Sequence, residues 1–327
     1  MTTNSRIKSS SARCTRPVLV AEPAAKPVFE PFTLSDIQQT LPMLRSSRSR
    51  SCDFTAGGVF MWVDYFGYER CIVGGDTLFI RGLSEDFTRR PAFSLPVGRM
   101  PLTEAVAFLR EYCHENGIPL FFSAIPEDRL EELRELGVEQ VEELTDWADY
   151  IYRASDLATL TGKAYSKKRN HVNRFISDNP GYRLETIDDS NLPELIDFFS
   201  ALDIESEKVD PVMSEYEREQ CLDVLRNYHL YPFEGAILRD GEGRIVAFTA
   251  GELVGDTLIL HIEKMRHDVS GAGEAINKFF AEKMLAEHPE LQYINREDDS
   301  GDPGLRFAKE SYHPAFRLRK YNVLMKA

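Results

Sequence analysis

Residues 233–264, FEGAILRDGEGRIVAFTAGELVGDTLILHIEK, limit the fold more than any other stretch. Three runs rich in β-branched and aromatic residues are parted by turns at Asp240-Gly241 and Gly255-Asp256. Connections that short join antiparallel neighbours, so the runs form a three-stranded meander. Around it, helical and extended patterns alternate. Upstream, YRLETI reads as a strand, and LPELIDFFSALDIES and SEYEREQCLDVLRNY as helices. Downstream come GEAINKFFAEKMLAEH as a helix, LQYINRE as a strand, GLRFAKESYH as a helix and FRLRKYNVLMK as a final strand. This is the alternation of an α/β domain.

The first half repeats the theme. PFTLSDIQQTLPML reads as a short amphipathic helix capped by Ser35, and CIVGGDTLFIRGL as a hairpin round a Gly-Gly-Asp turn. PLTEAVAFLREYCHENG is a helix whose apolar face carries Ala105, Phe108, Leu109 and Tyr112 and which stops at Gly117. PLFFSAIP is a buried strand and EDRLEELRELG a further helix. A chain of 327 residues exceeds what one core commonly fills, and domains of roughly 130 to 150 residues are the expectation. The predicted division is a disordered Ser-, Arg-, Pro- and Ala-rich arm at 1–29, a domain over 30–154, a bridging helix over 155–181 and a second domain over 182–327. The expected fold class is α/β with mixed sheets.

No run approaches the roughly 18 to 20 apolar residues of a membrane helix. The cysteines at 14, 52, 71, 113 and 221 are odd in number, scattered and without a CxxC pair. That argues against a disulfide framework or a zinc site, and the expected compartment is the reducing cytoplasm.

One segment runs against the charge of the rest. The formal net charge is −14, yet between Lys163 and Arg174 the residues Lys163, Lys167, Lys168, Arg169 and Arg174 are basic and no acid interrupts them. On a helix, Tyr165, Val172 and Ile176 share one direction with Phe175 nearby, and this is the expected buried stripe. Lys163, Lys167 and Arg174 fall on the opposite face, while Lys168 and Arg169 flank the stripe. The functional reading is a phosphate-rich ligand, with Arg169 able to bind bidentately. The alternative is a solvated helix face.

Three further stretches carry candidate chemistry. In TLILHIEK, strand alternation puts Leu258, Leu260 and Ile262 on one face and Ile259, His261 and Glu263 on the other, so His261 and Glu263 point to one place as proton-handling or ammonium-binding groups. The alternative is a buried, satisfied polar pair. In NREDDSGDPG, Asn295 and Glu297 share a face and Asp298, Asp299 and Asp302 crowd a strand end, where open α/β sheets bind ligands. That group can hold a cationic substrate group, or it caps the next helix. The spacing fails the calcium-loop pattern, and no metal is expected. In SGAGEAINKFF, Gly271 and Gly273 open a helix whose N–H groups can meet phosphate. GxSxG, P-loop and HExxH motifs are absent, so covalent serine or cysteine catalysis has no support.

The element order of the second half resembles that of the GNAT acyltransferases. GNAT enzymes carry an R/Q-x-x-G-x-G/A loop for coenzyme A, and here the first position of that frame is Asp268, which opposes a pyrophosphate. The resemblance becomes specific in RSRSCDFTAGGVFMWVDYF, DYIYRASDLATLTGKAYSKKRNHVNRF, HIEK, AINKFF, YINREDDSGDPGLRFAKESYHPAF and a closing KY. Together these resemble an uncharacterised bacterial family related to the C-terminal region of phosphatidylglycerol lysyltransferases, over about residues 30 to 325.

That resemblance implies two tandem GNAT-like domains, similar to the Fem-like aminoacyltransferases. It implies transfer of an aminoacyl group from aminoacyl-tRNA, as co-substrate and without a cofactor, to a lipid hydroxyl or an amine. Lys167, Lys168 and Arg169, with Lys163, Asn170 and Arg174, would then meet tRNA phosphates. Asp298 and Asp299, with Arg296, Asn277 and Lys309, would bind substrate, and His261, Glu263, Asn295 and Glu297 would form the catalytic group. The lysyltransferases carry a membrane-embedded N-terminal region that has no counterpart in this sequence. Two other classes stay open: an acyl-coenzyme A N-acyltransferase, and a non-catalytic module binding an amino acid or nucleotide.

Overall fold

A computed structural model describes residues 27–86, 88–202 and 211–326. Most of the predicted arm at 1–29, and residues 203–206 of the predicted helix LPELIDFFSALDIES, lie outside the described residues. Among the described residues the strands form two mixed sheets. Each contains one parallel junction. Pro91–Phe93 pairs in parallel with Phe121–Pro126 in the first sheet, and Thr257–Met265 with Tyr293–Asn295 in the second. The meander is present as Phe233–Arg239, Ile245–Val254 and Thr257–Met265, in antiparallel register. The result is two mixed α/β halves in tandem.

Sheet membership departs from a division at residues 154 and 182. Asp149–Arg153, assigned by sequence to the first domain, lies in the second sheet between Phe316–Leu318 and Tyr293–Asn295. Lys320–Met325, assigned to the second, lies in the first sheet between Phe121–Pro126 and Val138–Glu143. Each half thus lends the other a strand. The expected single strand FRLRKYNVLMK is two, because the chain passes from one sheet to the other at Arg319. Near the start, Asp36 accepts hydrogen bonds from the Thr33 N–H and hydroxyl, so the first turn is fixed by Thr33 and Asp36 and not by Ser35.

The second sheet is buried on both faces. One face packs with Ala154–Thr159, Ser166–Asp178 and Ala272–Glu287, through Val172, Phe175, Ile276 and Phe280. The other, through Ile237, Phe248 and Ile262, joins the core of the first half without a break. The basic helix, Ser166–Asp178, buries Tyr165, Val172 and Phe175 but leaves Ile176 37% exposed, against expectation. Phe175 takes that place because the helix lies against the turn at Gly271, where a Cβ would stand 2.2 Å from the His171 carbonyl oxygen.

Candidate functional site

A cavity opens where two strands part. Thr257–Met265 and Tyr293–Asn295 pair only as far as Ile259 opposite Asn295. Beyond that register lies a cavity of about 580 Å³, lined by Leu260, His261, Glu263, Arg296, Glu297 and Asp298 from the second half and by Cys52, Asp53, Trp62 and Glu85 from the first. A bulge decides which residues reach it. Ala250 pairs with Ile262 and Gly251 with Leu260, which leaves His261 as the extra residue. A Cβ at Gly251 would lie 2.1 Å from the Ile259 carbonyl oxygen, so the bulge needs glycine there. The alternation expected from TLILHIEK is therefore broken. Leu258 and Leu260 share one core, Ile262 packs in the other, and Leu260, His261 and Glu263 all line the cavity.

His261 is clamped between two carboxylates. Its Nδ1 lies 2.7 Å from Glu297 Oε1 and its Nε2 3.2 Å from Glu252 Oε1. Phe233 stacks on the ring at 5.2 Å, and the Gly57 N–H of the first half donates to Glu252 Oε1 at 2.8 Å. Burial alone would depress the imidazole, but the hydrogen bonds to Glu252 and Glu297 and their charges push it up to about 9. His261 is thus an imidazolium at neutral pH, with both N–H groups donating. Glu252 is fully buried and its Oε2 has no hydrogen-bond partner among the described residues. Glu297 holds a positive φ of 56°, an uncommon backbone state for a residue with a side chain.

Glu263 has different partners from His261. It accepts from Arg296 Nη2 at 2.6 Å and from Asn277 Nδ2 at 3.1 Å. The half-buried Arg296 also packs on Tyr312 at 4.9 Å, and its Nη1 has no hydrogen-bond partner among the described residues. Asn295 is fully buried and does not reach the cavity. Its side chain donates to the Arg50 carbonyl at 2.6 Å and to Asp149 at 2.8 Å and accepts from the Glu297 N–H at 2.7 Å, so it holds the Glu297 turn.

The acidic turn divides. Asp298 lines the cavity, and burial pushes its carboxyl up to about 6 against the pull of Lys320 and Lys309. Asp299 is fully buried away from the cavity lining, bonded to Tyr150 at 2.6 Å and to Arg306 at 2.7 Å. Asp302 caps Pro303–Glu310 through the Leu305 N–H. Lys309 lines the cavity and donates to the carbonyls of Arg296, at 2.6 Å, and Asp298.

The basic helix also divides. Lys163, Lys167, Asn170 and Arg174 are exposed. Lys168 turns inward, 3.9 Å from the Tyr312 ring centre and 3.5 Å from Glu274. Arg169 donates to the Leu160 and Gly162 carbonyls. At the glycine turn, Asp268 pairs with Arg266 at 2.6 Å and Gly273 lies against Met265.

Sequence reasoning missed a buried cluster beside the cavity. Lys320 Nζ lies 2.9 Å from Asp149, 2.9 Å from Asp53 and 3.3 Å from Cys52 Sγ. Cys52, Asp149 and Asp298 have a spacing that suits a metal. The Lys320 ammonium, bonded to both Cys52 and Asp149, supplies a fixed cation at that place. Burial raises the Cys52 thiol well above its ordinary value, so it is not a ready nucleophile. Cys52, Asp53, Gly57, Trp62 and Lys320 all stand in the phrases RSRSCDFTAGGVFMWVDYF and KY. Glu252 was marked by being the one acid in the strand IVAFTAGELV.

The fold and this wedge define a protein of two mixed α/β halves that share one cavity. Residues 45–324 match the family described as phosphatidylglycerol lysyltransferase, C-terminal, and the chain belongs to that family. A conserved protein of unknown function from Bacteroides thetaiotaomicron is 29% identical, with TM-score 0.78 over 91% of this chain and 99% of that one. The C-terminal domain of a putative lysylphosphatidylglycerol synthetase from Agrobacterium fabrum is 15% identical, with TM-score 0.61 over 90% and 92%. FemX shares the fold at 10% identity, with TM-score 0.54 over 91% and 97%. Among curated proteins, an uncharacterised one from Mycoplasmoides gallisepticum is 23% identical over 185 residues, which spans 54% of this chain and 55% of that protein. Among the described residues no helix is long and apolar enough to cross a membrane.

Proposed function

We propose that the protein transfers an aminoacyl group from aminoacyl-tRNA to a hydroxyl or amine acceptor. Family membership supports the reaction class. The observation that carries the mechanism is Glu297, held at the strand wedge by an imidazolium 2.7 Å away. His261 is protonated and both its nitrogens are engaged, so it is not the base. Glu297 accepts the acceptor's proton, and His261 fixes it in place for that role. The acceptor's oxygen or nitrogen then bonds to the ester carbon, and the bond from that carbon to the tRNA ribose oxygen breaks. The proton on Glu297 passes to the departing oxygen. The ester is already activated, so alignment in the wedge supplies most of the acceleration.

The tRNA approaches along the basic helix, on Lys163, Lys167, Asn170 and Arg174. Lys168 and Arg296 both contact Tyr312, which links that helix to the cavity. Arg296, Glu263, Asp298 and Lys309 form the substrate wall, Asn277 holds Glu263, and Asn295 and Asp299 hold the loop. Aminoacyl-tRNA is a cytoplasmic substrate, and this reading places the site there. The test is transfer of label from charged tRNA to an acid-stable product in cell extract. Glu297→Gln should lower the rate about 10²–10⁴-fold in a protein that still folds. Full activity in that variant would remove Glu297 from the mechanism.

A further inference from the structure

We propose that the first half's wall of the cavity is a subsite for an alkylammonium group, with Glu85 as its counter-ion under a wall of aromatic rings. The carboxylates around the cavity are mostly matched by cations. Glu217 meets Lys264 at 2.5 Å, Glu263 meets Arg296 at 2.6 Å, Glu297 meets His261 at 2.7 Å and Asp53 meets Lys320 at 2.9 Å. Glu85 is different. It is only 8% exposed and lines the cavity, and no cation of the described residues lies within salt-bridge reach of it. Among the described residues its side chain accepts one hydrogen bond, from the Tyr68 hydroxyl at 2.8 Å. The loop is held in place, since the Glu85 N–H donates to Ser123 at 2.9 Å and Ser123 bonds Asn322 at 2.7 Å. Lys320 is already engaged by Asp53 and Asp149.

A carboxylate this buried takes either a proton or a cation. Burial, with the charge of Asp53, raises Glu85 well above the ordinary range. The rings beside it are continuous. Phe66 stacks on Tyr68 at 5.4 Å and meets Trp62 at 6.2 Å and Trp147 at 6.4 Å, and all four line the cavity. Aromatic faces next to a buried acid are the chemistry of ammonium recognition. The ammonium belongs either to an amine acceptor or to the transferred residue, and the assay separates the two.

The role of the ligand rests on the aminoacyl-transfer reading, but the binding test uses no tRNA and stands or falls separately. The chain has two tryptophans, Trp62 and Trp147, and both line this wall. Their fluorescence is titrated with n-pentylamine, pentyltrimethylammonium and pentanol. The expected result is saturable binding of both cations at least tenfold tighter than pentanol, a preference that Glu85→Gln abolishes. Equal binding of pentanol, or an undiminished cation preference in that variant, would overturn the subsite. The contrast in the unaltered protein needs no variant to fold. Competition with amide-linked lysyl- and alanyl-adenosine then gives the source. Displacement of pentylamine by the lysyl compound alone assigns the subsite to the transferred side chain, and displacement by neither assigns it to the acceptor.

Discussion

The ammonium of Lys320 lies 2.9 Å from the Asp149 carboxylate, and both residues are fully buried. Asp149 opens the strand lent to the second sheet, and Lys320 opens the strand lent to the first. The ion pair therefore stands where the two crossing strands begin. Asp53, beside it, brings the same contact to the cavity.

Replacing Lys320 by methionine strands Asp149 and Asp53 without their cation. The expected loss of stability is about 3–5 kcal/mol, because a buried charge left alone is far worse than a buried pair. Urea unfolding measures it. Adding Asp149→Leu should recover part of the loss, and an unmoved midpoint in the single variant would show the pair to be dispensable.

His261 makes stability depend on pH. Its folded-state value, about 9, lies above the ordinary 6.5. The folded state binds the proton more tightly, so the contribution is complete below about pH 6.5 and fades as pH rises through about 9. Each tenfold gain in proton affinity is worth about 1.4 kcal/mol, which puts roughly 3 kcal/mol at stake. Unfolding free energies at a series of pH values should fall across that window, and His261→Gln should flatten the slope. A slope that persists in the variant assigns it to another group.

The two sides of the basic helix should separate by mutation. Lys163→Glu with Lys167→Glu should weaken tRNA binding and its salt dependence while leaving the melting temperature unchanged. Arg169→Ala should do the reverse, since its guanidinium caps the Leu160 and Gly162 carbonyls. Loss of tRNA binding from Arg169→Ala without loss of stability would contradict this division.

Gly57 is pressed against the catalytic group. A Cβ there would lie 2.3 Å from His261 Cδ2. Gly57→Ala should cost about 1–3 kcal/mol by overpacking and lower transfer activity together with it. Wild-type activity in a stable variant would show that the ring can move aside.

The meander, the helices and the wedge residues His261, Glu263, Arg296, Glu297 and Asp298 were legible because each is written in local spacing. The bulge at His261 was not, since Gly251 and Leu260 lie on different strands and only their pairing shows the extra residue. Asp299 read as a ligand group because spacing gives position and not partners, and Arg306 claims it. Asn295 and Asn277 read as site residues for the same reason. Glu85, Glu252 and Lys320 were not read as parts of the site, although Glu252 is the one acid of its strand and Lys320 stands in the closing KY. Nothing in the spacing of their own segments ties them to the cavity, and only the packing of one half on the other assembles them.

The lent strands impose an order on synthesis. Phe121–Pro126 and Val138–Glu143 flank the place of Lys320–Met325, so the sheet begun first is completed only after the second half has been made. A nascent or truncated chain ending before Lys320 leaves two unpaired edges there, which are open to wrong partners. Neither half is then a portable module. Any rearrangement that copies or moves one half alone leaves a gap in one sheet and an orphan strand from the other, and this ties the two cavity walls into one inherited unit.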